Sequence, residues 1–432
     1  VEANPDGALT SFGPFDNPNP GAETLYFRVG EPDLRDPTLD RVWGNGTTVN
    51  LTFSEAMDPD LATRPFNYSL IVGGDALLPI SSAVIGDTPN TVILTMGFPL
   101  SLNSEYTVET NGLTDLAGRP LTGATSSVFR TWDDNPNGVK VFILAGQSNM
   151  QGHGRSETGN GGVNGAIGSL RYETTDDPAN YGMLVDGANN WITRDDVQVY
   201  YNRNDLTQGA NIKKGPLLPE FGVDDARIGP EMGFGWTIGD SYDEPVLIIK
   251  TCWGGKSLYA DFRSPGAVAK RGGEVGNYYL GLIDYVHAVL DNLSTEFPQF
   301  AGQGYQIAGF AWHQGWNDGG NEFTASSYQE NLADFIRDIR AELGNPTLPF
   351  AVANTGISGA SASGNRLIML EGQLAVANPV LYPEFNGNVS AADTRPFWRE
   401  ANVSPQNQGF HWNQNGETQY LIGKSLGEGM KT

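Results

Sequence analysis

Several short blocks hold side chains whose types and placement suit attack on a carbonyl. Ser148 lies in Ala145-Gly146-Gln147-Ser148-Asn149-Met150-Gln151-Gly152, directly after the apolar run Val139–Leu144. A serine between small and polar residues at a strand end is placed as a nucleophile. Its neighbours admit a carbonyl, and a following helix aims N–H groups, including that of Ser148, at the developing oxyanion. Only Gly146 stands at the offset a Gly-x-Ser-x-Gly elbow requires. A second apolar run leads into Thr251-Cys252-Trp253-Gly254-Gly255-Lys256. Paired glycines let a backbone approach closely and present an N–H to an anion, and a plain turn explains them equally. A third leads into Trp312-His313-Gln314-Gly315-Trp316-Asn317-Asp318, where a side-chain amide such as that of Gln314 donates without titrating.

Only four histidines are available as a base near neutral pH. His287 falls on the apolar face of a helical pattern and reads as a packed residue. His153, just downstream of Ser148, reads as a substrate contact, and His313 as support for its own block. His411, in Gly409-Phe410-His411-Trp412-Asn413, precedes a helical stretch from Glu417 to Met430. Cys252 is the only cysteine, which excludes an intrachain disulfide framework, a thiolate zinc site and an iron–sulfur cluster. It reads as a small buried hydrophobe. No His and carboxylate cluster has metal-ligand spacing, so neither metal nor cofactor is expected.

The elements that must position these blocks change grammar along the chain. Residues 1–35 are rich in Pro, Gly, Asn and Asp and read as a loose lead-in. From 36 to 132 short alternating segments are broken by turns: 48–53, 83–85, 91–96, 106–108 and 127–130, with no helical period. This spacing predicts a β-sandwich. Residues 133–138, Asp-Asp-Asn-Pro-Asn-Gly, form a linker. From 139 to 432 strands and helices alternate. Val139–Leu144, Val246–Ile249, Ile307–Trp312 and Phe350–Ala353 are near-continuous apolar runs suited to a parallel sheet buried on both faces. Tyr279, Ile283, Val286 and Leu290 share one helix face. Tyr328, Leu332, Phe335, Ile336, Ile339 and Leu343 share another, with Glu330, Asp334, Arg337 and Asp338 opposite. The pattern predicts a three-layer α/β domain with its functional loops at the carboxyl ends of the strands.

The chain has 432 residues with 26 basic and 50 acidic side chains, a formal charge of -24. That field repels phosphate backbones and anionic lipid, so no nucleic-acid or membrane-surface partner is expected. No apolar run is long enough to span a bilayer. Val1–Pro5 carry neither a basic nor an apolar signal region, so any signal peptide is expected to have been removed.

The block Gly146–Met150, with Gln151-Gly152, resembles the SGNH hydrolases, and within them the sialate O-acetylesterase-like carbohydrate esterases. Phe53–Pro59, Tyr106–Val108 and Gly112–Leu121 resemble the bacterial Ig-like domain of surface-layer proteins. These resemblances imply an α/β/α, flavodoxin-like hydrolase domain after an Ig-like spacer. They imply Ser148 as nucleophile, His411 as base, and an oxyanion hole from Ser148, a glycine of Gly254-Gly255, and Asn317. In relatives with His-Gln-Gly-Glu at the third block that Asn is absent, so Gln314 shares or takes its role. Many members have Asp three residues before the histidine, where this chain has Gln408. The acid is then Asp393, Asp318 or Glu231, or a backbone carbonyl completes a dyad. Gln147, His153, Trp253, His313, Trp316 and Trp412 are expected to contact substrate.

The leading expectation is a secreted, periplasmic or cell-surface bacterial serine esterase that removes O-acetyl groups from a carbohydrate such as xylan. A non-catalytic carbohydrate-binding protein with a degenerate hydrolase domain is the alternative from another class, and the missing acid supports it. A lipase or thioesterase of the same superfamily is the third, and the Trp-rich loops weigh against it.

Overall fold

The computed structural model describes residues 35–431 except 87, 158–163 and 165–166. The lead-in expected over 1–35 lies, but for Arg35, outside the described residues.

The first region is all-β. One four-stranded antiparallel sheet orders Leu39–Asn45, Thr48–Phe53, Thr91–Met96 and Ile80–Ile85. A second orders Ala76–Leu78, Tyr68–Val72, Glu105–Thr110 and Ser126–Arg130. Thr48–Phe53 and Thr91–Met96 bury every second residue, as alternation of apolar and polar side chains dictates. The inward residues Val49, Leu51, Leu70, Leu94 and Val108 share one core. The expected strands all lie within observed ones. A one-turn helix, Pro59–Ala62, interrupts them, with the Asp58 side chain capping the Asp60 N–H and Pro at its first position.

The second region is mixed α/β around a seven-stranded sheet. Its strands are β1 (Val139–Gly146), β2 (Arg194–Asn202), β3 (Ile212–Leu217), β4 (Val246–Cys252), β5 (Tyr305–His313), β6 (Phe350–Ala353) and β7 (Val389–Ala392). Their order is β3-β2-β4-β1-β5-β6-β7, all parallel except the edge strand β3. Every residue of β1 and β4 is buried. Val141 and Ile143 point into one core with α3 (Asn277–Asp291) and α4 (Tyr328–Glu342). Phe142 and Leu144 point into the other with α2 (Glu231–Gly239) and α5 (Gly416–Met430). Strands that bury both faces need apolar residues throughout, which is why these runs lack alternation. On α4 two of the four residues of the expected polar face are buried: Asp334 pairs with Lys270, Arg271 and Arg337, and Asp338 with Arg41 of the first region.

Two features of this sheet set up the site. Gly146 is in register with Cys252 on one side and His313 on the other, so three strand ends finish level. The chain also reverses its direction across the sheet at β1, the place where parallel sheets open a crevice.

Candidate active site

The three level strand ends bring the sequence blocks together. Gly146 ends β1 at φ +154, and a Cβ there would lie 2.1 Å from the His313 carbonyl oxygen, so only glycine lets the chain turn this close to β5. The turn opens α1 (Ser148–Gln151), which places Ser148 on its first residue, half-buried. A Cβ on Gly254 would lie 3.8 Å from that of Ser148, so the glycine block of β4 flanks the serine.

Asn317 closes the other side. Its Nδ2 donates to the Gly255 carbonyl at 2.7 Å, and its Oδ1 accepts from Gln147 Nε2 at 3.1 Å. Both bonds fix the orientation of the amide, which is solvent-exposed and has one N–H left to donate.

Beneath it runs a buried network. Gln147 Oε1 accepts from the Gly315 N–H and from Gln314 Nε2, which also faces the Lys256 carbonyl and Asp318. Asp318 in turn accepts from the Leu258 and Tyr259 N–H groups. Burial raises its carboxyl to about 6 against the pull of these donors.

His411 reaches the site from the C-terminal segment. Asn149 Nδ2 donates to the Phe410 carbonyl at 3.2 Å, tying the neighbour of Ser148 to the neighbour of His411. The backbone then takes positive φ at Trp412, Asn413 and Gln414, a strained run of a kind that clusters at functional sites. Asn413 holds it by donating to the Arg399 carbonyl and accepting from the Gln408 N–H. Burial, with the charge of Arg227, lowers the His411 imidazole to about 4, so it is neutral at pH 7. The ring of His153 lies flat against it, centroids 3.6 Å apart.

A family model described as carbohydrate esterase, sialic acid-specific acetylesterase, matches residues 138–382, more than half of the chain. The chain belongs to that family. Membership makes it a carbohydrate acetylesterase by class, a carboxylic ester hydrolase. A bacterial Ig-like domain model matches residues 41–131. None of the curated proteins searched matches the chain. Among solved structures it is similar to a carbohydrate acetylesterase from Xanthomonas citri, at 16% identity over 91% of this chain and 76% of that one, TM-score 0.38. It is similar to NanS at 14% identity over 69% and 98%, TM-score 0.40. A protein from Arabidopsis thaliana matches at 17% identity over the same shares, TM-score 0.41. The Ig-like domain and the esterase family fit an extracellular protein. Among the described residues no helix is long and apolar enough to cross a membrane.

Several expected contacts of this esterase lie elsewhere. Trp253 packs against Phe262 and Tyr278, and Trp412 is fully buried beside His313, so neither indole offers a face to a sugar. Gln147 and Gln314 are each 1% exposed and direct their amides inward, which removes Gln147 from substrate and Gln314 from the oxyanion. His313 is buried, donates Nδ1–H to the Ala353 carbonyl and is lowered by burial to about 4. Trp316 stays half-exposed, its ring under the Arg366 guanidinium and near the exposed Phe410. His287 stacks on Trp132, and burial pushes the Cys252 thiol up to about 12.

The three candidate acids are engaged away from His411. Asp393, at the end of β7, binds Arg395 and Asn354. Asp318 binds the network above. Glu231 forms a fully buried ion pair with Lys250 at 2.6 Å. His411 Nδ1 is buried without a hydrogen-bond partner among the described residues. Lys250, which the sequence reading passed over, also donates to the Gln151 carbonyl and so anchors the last turn of α1. A charged residue directly after the apolar run Val246–Ile249 was the signal that marks it. Among the described residues, no group of three or more His, Cys, Asp or Glu side chains is arranged to hold a metal ion.

Proposed function

We propose that the protein is a secreted serine esterase that removes O-acetyl groups from a polysaccharide or its oligosaccharides through an acyl-enzyme. The observation that carries this reading is the convergence of Ser148, Gly254, Asn317 and the His411 loop at the carboxyl ends of the central strands. Ser148 Oγ attacks the acetyl carbonyl while His411 takes its proton. The N–H groups of Ser148 and of Gly254 or Gly255, with Asn317 Nδ2–H, receive the oxyanion. His411 then protonates the departing sugar oxygen. Water, deprotonated by His411, attacks the acyl-enzyme; the ester bond to Ser148 breaks, His411 returns the proton to Ser148 Oγ, and acetic acid leaves as acetate after losing its own proton to solvent.

The half-exposed Trp316, one face of which carries Arg366, and the exposed Phe410 supply apolar surface beside the base suited to a sugar ring. A concavity of about 420 Å³, lined by Tyr259, Asp261, Arg263, Glu274, Val275 and Tyr278, starts four residues after Gly255 and gives room for further sugar units such as those of xylan. In this reading residues 139–432 form a three-layer SGNH hydrolase domain, 36–132 an Ig-like sandwich whose last residue, Trp132, packs into the hydrolase core, and 133–138 the linker. Acetylated carbohydrate is the one partner required, with no nucleic acid and no membrane.

The unpartnered Nδ1 of His411 favours a second reading, a carbohydrate-binding protein without turnover. Acetate release from a panel of acetylated glycans, with p-nitrophenyl acetate as control, separates the two. Release from at least one glycan supports the esterase. Binding of glycan without release of acetate or nitrophenol supports the second reading, and activity confined to acyl chains longer than acetyl overturns both.

A further inference from the structure

A histidine that serves as base profits from a partner that fixes its plane and stabilises its charged form, commonly a carboxylate on the second ring nitrogen. His411 has no such carboxylate: Nδ1 is unpartnered among the described residues, and Asp393, Asp318 and Glu231 are bound elsewhere. What touches it is another imidazole. The His153 ring stacks on His411 with planes 12° apart and centroids 3.6 Å apart, and Phe410 borders it at 4.6 Å, tilted by 60°.

We propose that the π face of His153 does the work of the missing carboxylate, fixing the plane of His411 and stabilising the imidazolium formed when His411 takes the Ser148 proton. His153 is then a positioning residue, and this inference rests on the proposed roles of Ser148 and His411.

The backbone around His153 is built to hold that ring. The Gly152 carbonyl accepts from the Val223 N–H at 3.0 Å. Gly154 and Arg155 pair antiparallel with Ile228 and Arg227. Arg155 Nε donates to Gln414 Oε1 at 2.9 Å, three residues past His411, and Asn149 Nδ2 donates to the Phe410 carbonyl, so the two histidine segments are joined on both sides of the stack. The loop therefore sets the distance between the rings.

The stack works only if one ring stays neutral, since two imidazolium rings in contact would repel. Burial comes first among the causes that hold His153 at about 3, followed by His411, Arg227, Lys250 and Arg155. Arg227 acts on His411 as well. The arginines and the lysine are cations, with Arg227 and Lys250 paired to Asp224 and Glu231, and none of them stabilises a positive His411. The face of a neutral aromatic ring does, because a cation within about 6 Å of its centroid is drawn to the ring's electrons.

The test compares His153→Phe with His153→Leu in the full chain, using p-nitrophenyl acetate, with thermal unfolding confirming that each variant is folded. Phe keeps a π face, whereas Leu keeps the burial without one. We expect Phe within about threefold of wild type. Leu should lose about tenfold in kcat with KM unchanged, and the acid limb of its kcat/KM profile should move to lower pH. If Leu does not fold, His153→Met, a flexible filler, takes its place. A Leu variant as active as Phe and wild type would reduce the stack to packing and overturn the proposal. So would Phe falling as far as Leu, since the ring nitrogens would then matter and not the face. Wild-type rates in Ser148→Ala and His411→Ala are a separate outcome, which overturns the underlying reading of the site.

Discussion

Asn149 Nδ2 donates to the Phe410 carbonyl at 3.2 Å, and this bond spans from the residue after Ser148 to the residue before His411. Asn149 is 2% exposed, and its Oδ1 has no partner among the described residues, so the donor end alone holds it. A neutral hydrogen bond contributes about 1 kcal/mol net. Asn149→Ala should therefore lower kcat about three- to tenfold with KM for a small ester little changed, while thermal unfolding shows an intact fold. A rise in KM with kcat unaltered would mean that the bond orients substrate and not the two reacting groups.

Ser148 and His411 act as a unit in the proposed mechanism. Ser148→Ala should fall below about a hundredth of the wild-type rate, His411→Ala nearly as far, and the double variant scarcely further. Steady-state hydrolysis of p-nitrophenyl acetate checks this. Additive losses in the double variant would show that the two do not share one step.

The two amides of the third block separate by geometry. Asn317→Ala removes an exposed donor already oriented by Gln147 and Gly255, and should cost about 10²–10³ in kcat. Gln314→Ala opens the buried network of Gln147, Asp318 and Tyr328, and should lower the melting temperature as well as the rate. The opposite pattern would assign the oxyanion donor to Gln314.

What the sequence made legible follows from how each feature is encoded. Val139–Leu144 and Phe350–Ala353 announce buried strands because burial on both faces demands a near-continuous apolar run, broken in the first only by Lys140. The strands Arg194–Asn202 and Ile212–Leu217 went unread: one begins Arg-Asp-Asp and the other holds two lysines, a glycine and a proline, as an edge strand tolerates. α2 was missed for another reason. Eight of its nine residues are buried, so it has no polar face to give it a period. At the site, block position revealed which loops meet, since strand ends in one register must. Which tryptophans face out was invisible, because Trp316 and Trp412 look alike in sequence while one is half-exposed and the other wholly enclosed. The His153–His411 stack joins residues 258 positions apart, beyond any local pattern.

Removing the first region tests where the esterase begins. Trp132 belongs to the core of the α/β region, stacks on His287 at 4.2 Å and donates Nε1–H to the Glu342 carbonyl at 2.7 Å. Asp133 accepts from the Tyr305 N–H, and Asn135 donates to the Gln303 carbonyl. Deleting residues 1–130 should leave small-ester activity near wild type. Deleting 1–137 also strips a core indole and should cost about 3 kcal/mol or more of stability. Calorimetry of the two truncated chains distinguishes them, and equal melting temperatures would place the boundary after residue 137.

The pH profile tests the state of the base. His411 must be neutral to take the Ser148 proton, and burial with Arg227 nearby lowers it to about 4, against an ordinary value of 6.5. The acid limb of kcat/KM should therefore inflect near 4 and the profile stay flat from about pH 5 to 7. Arg227→Gln removes a nearby positive charge and should move the inflection upward. Unfolding must be separated from titration, because the same shift acts on stability. A histidine whose folded pKa is lowered stabilises the fold above 6.5, and that contribution is lost as pH falls through the folded value. His153 at about 3 and His313 at about 4 act in the same direction. Asp318, raised to about 6, acts in reverse: its contribution is full below its unfolded value of 3.8 and is lost as pH rises through 6. Far-ultraviolet circular dichroism across the same pH range identifies where the chain still folds. An inflection at 6.5 or above within that range would show that His411 is hydrated or paired with a carboxylate in solution.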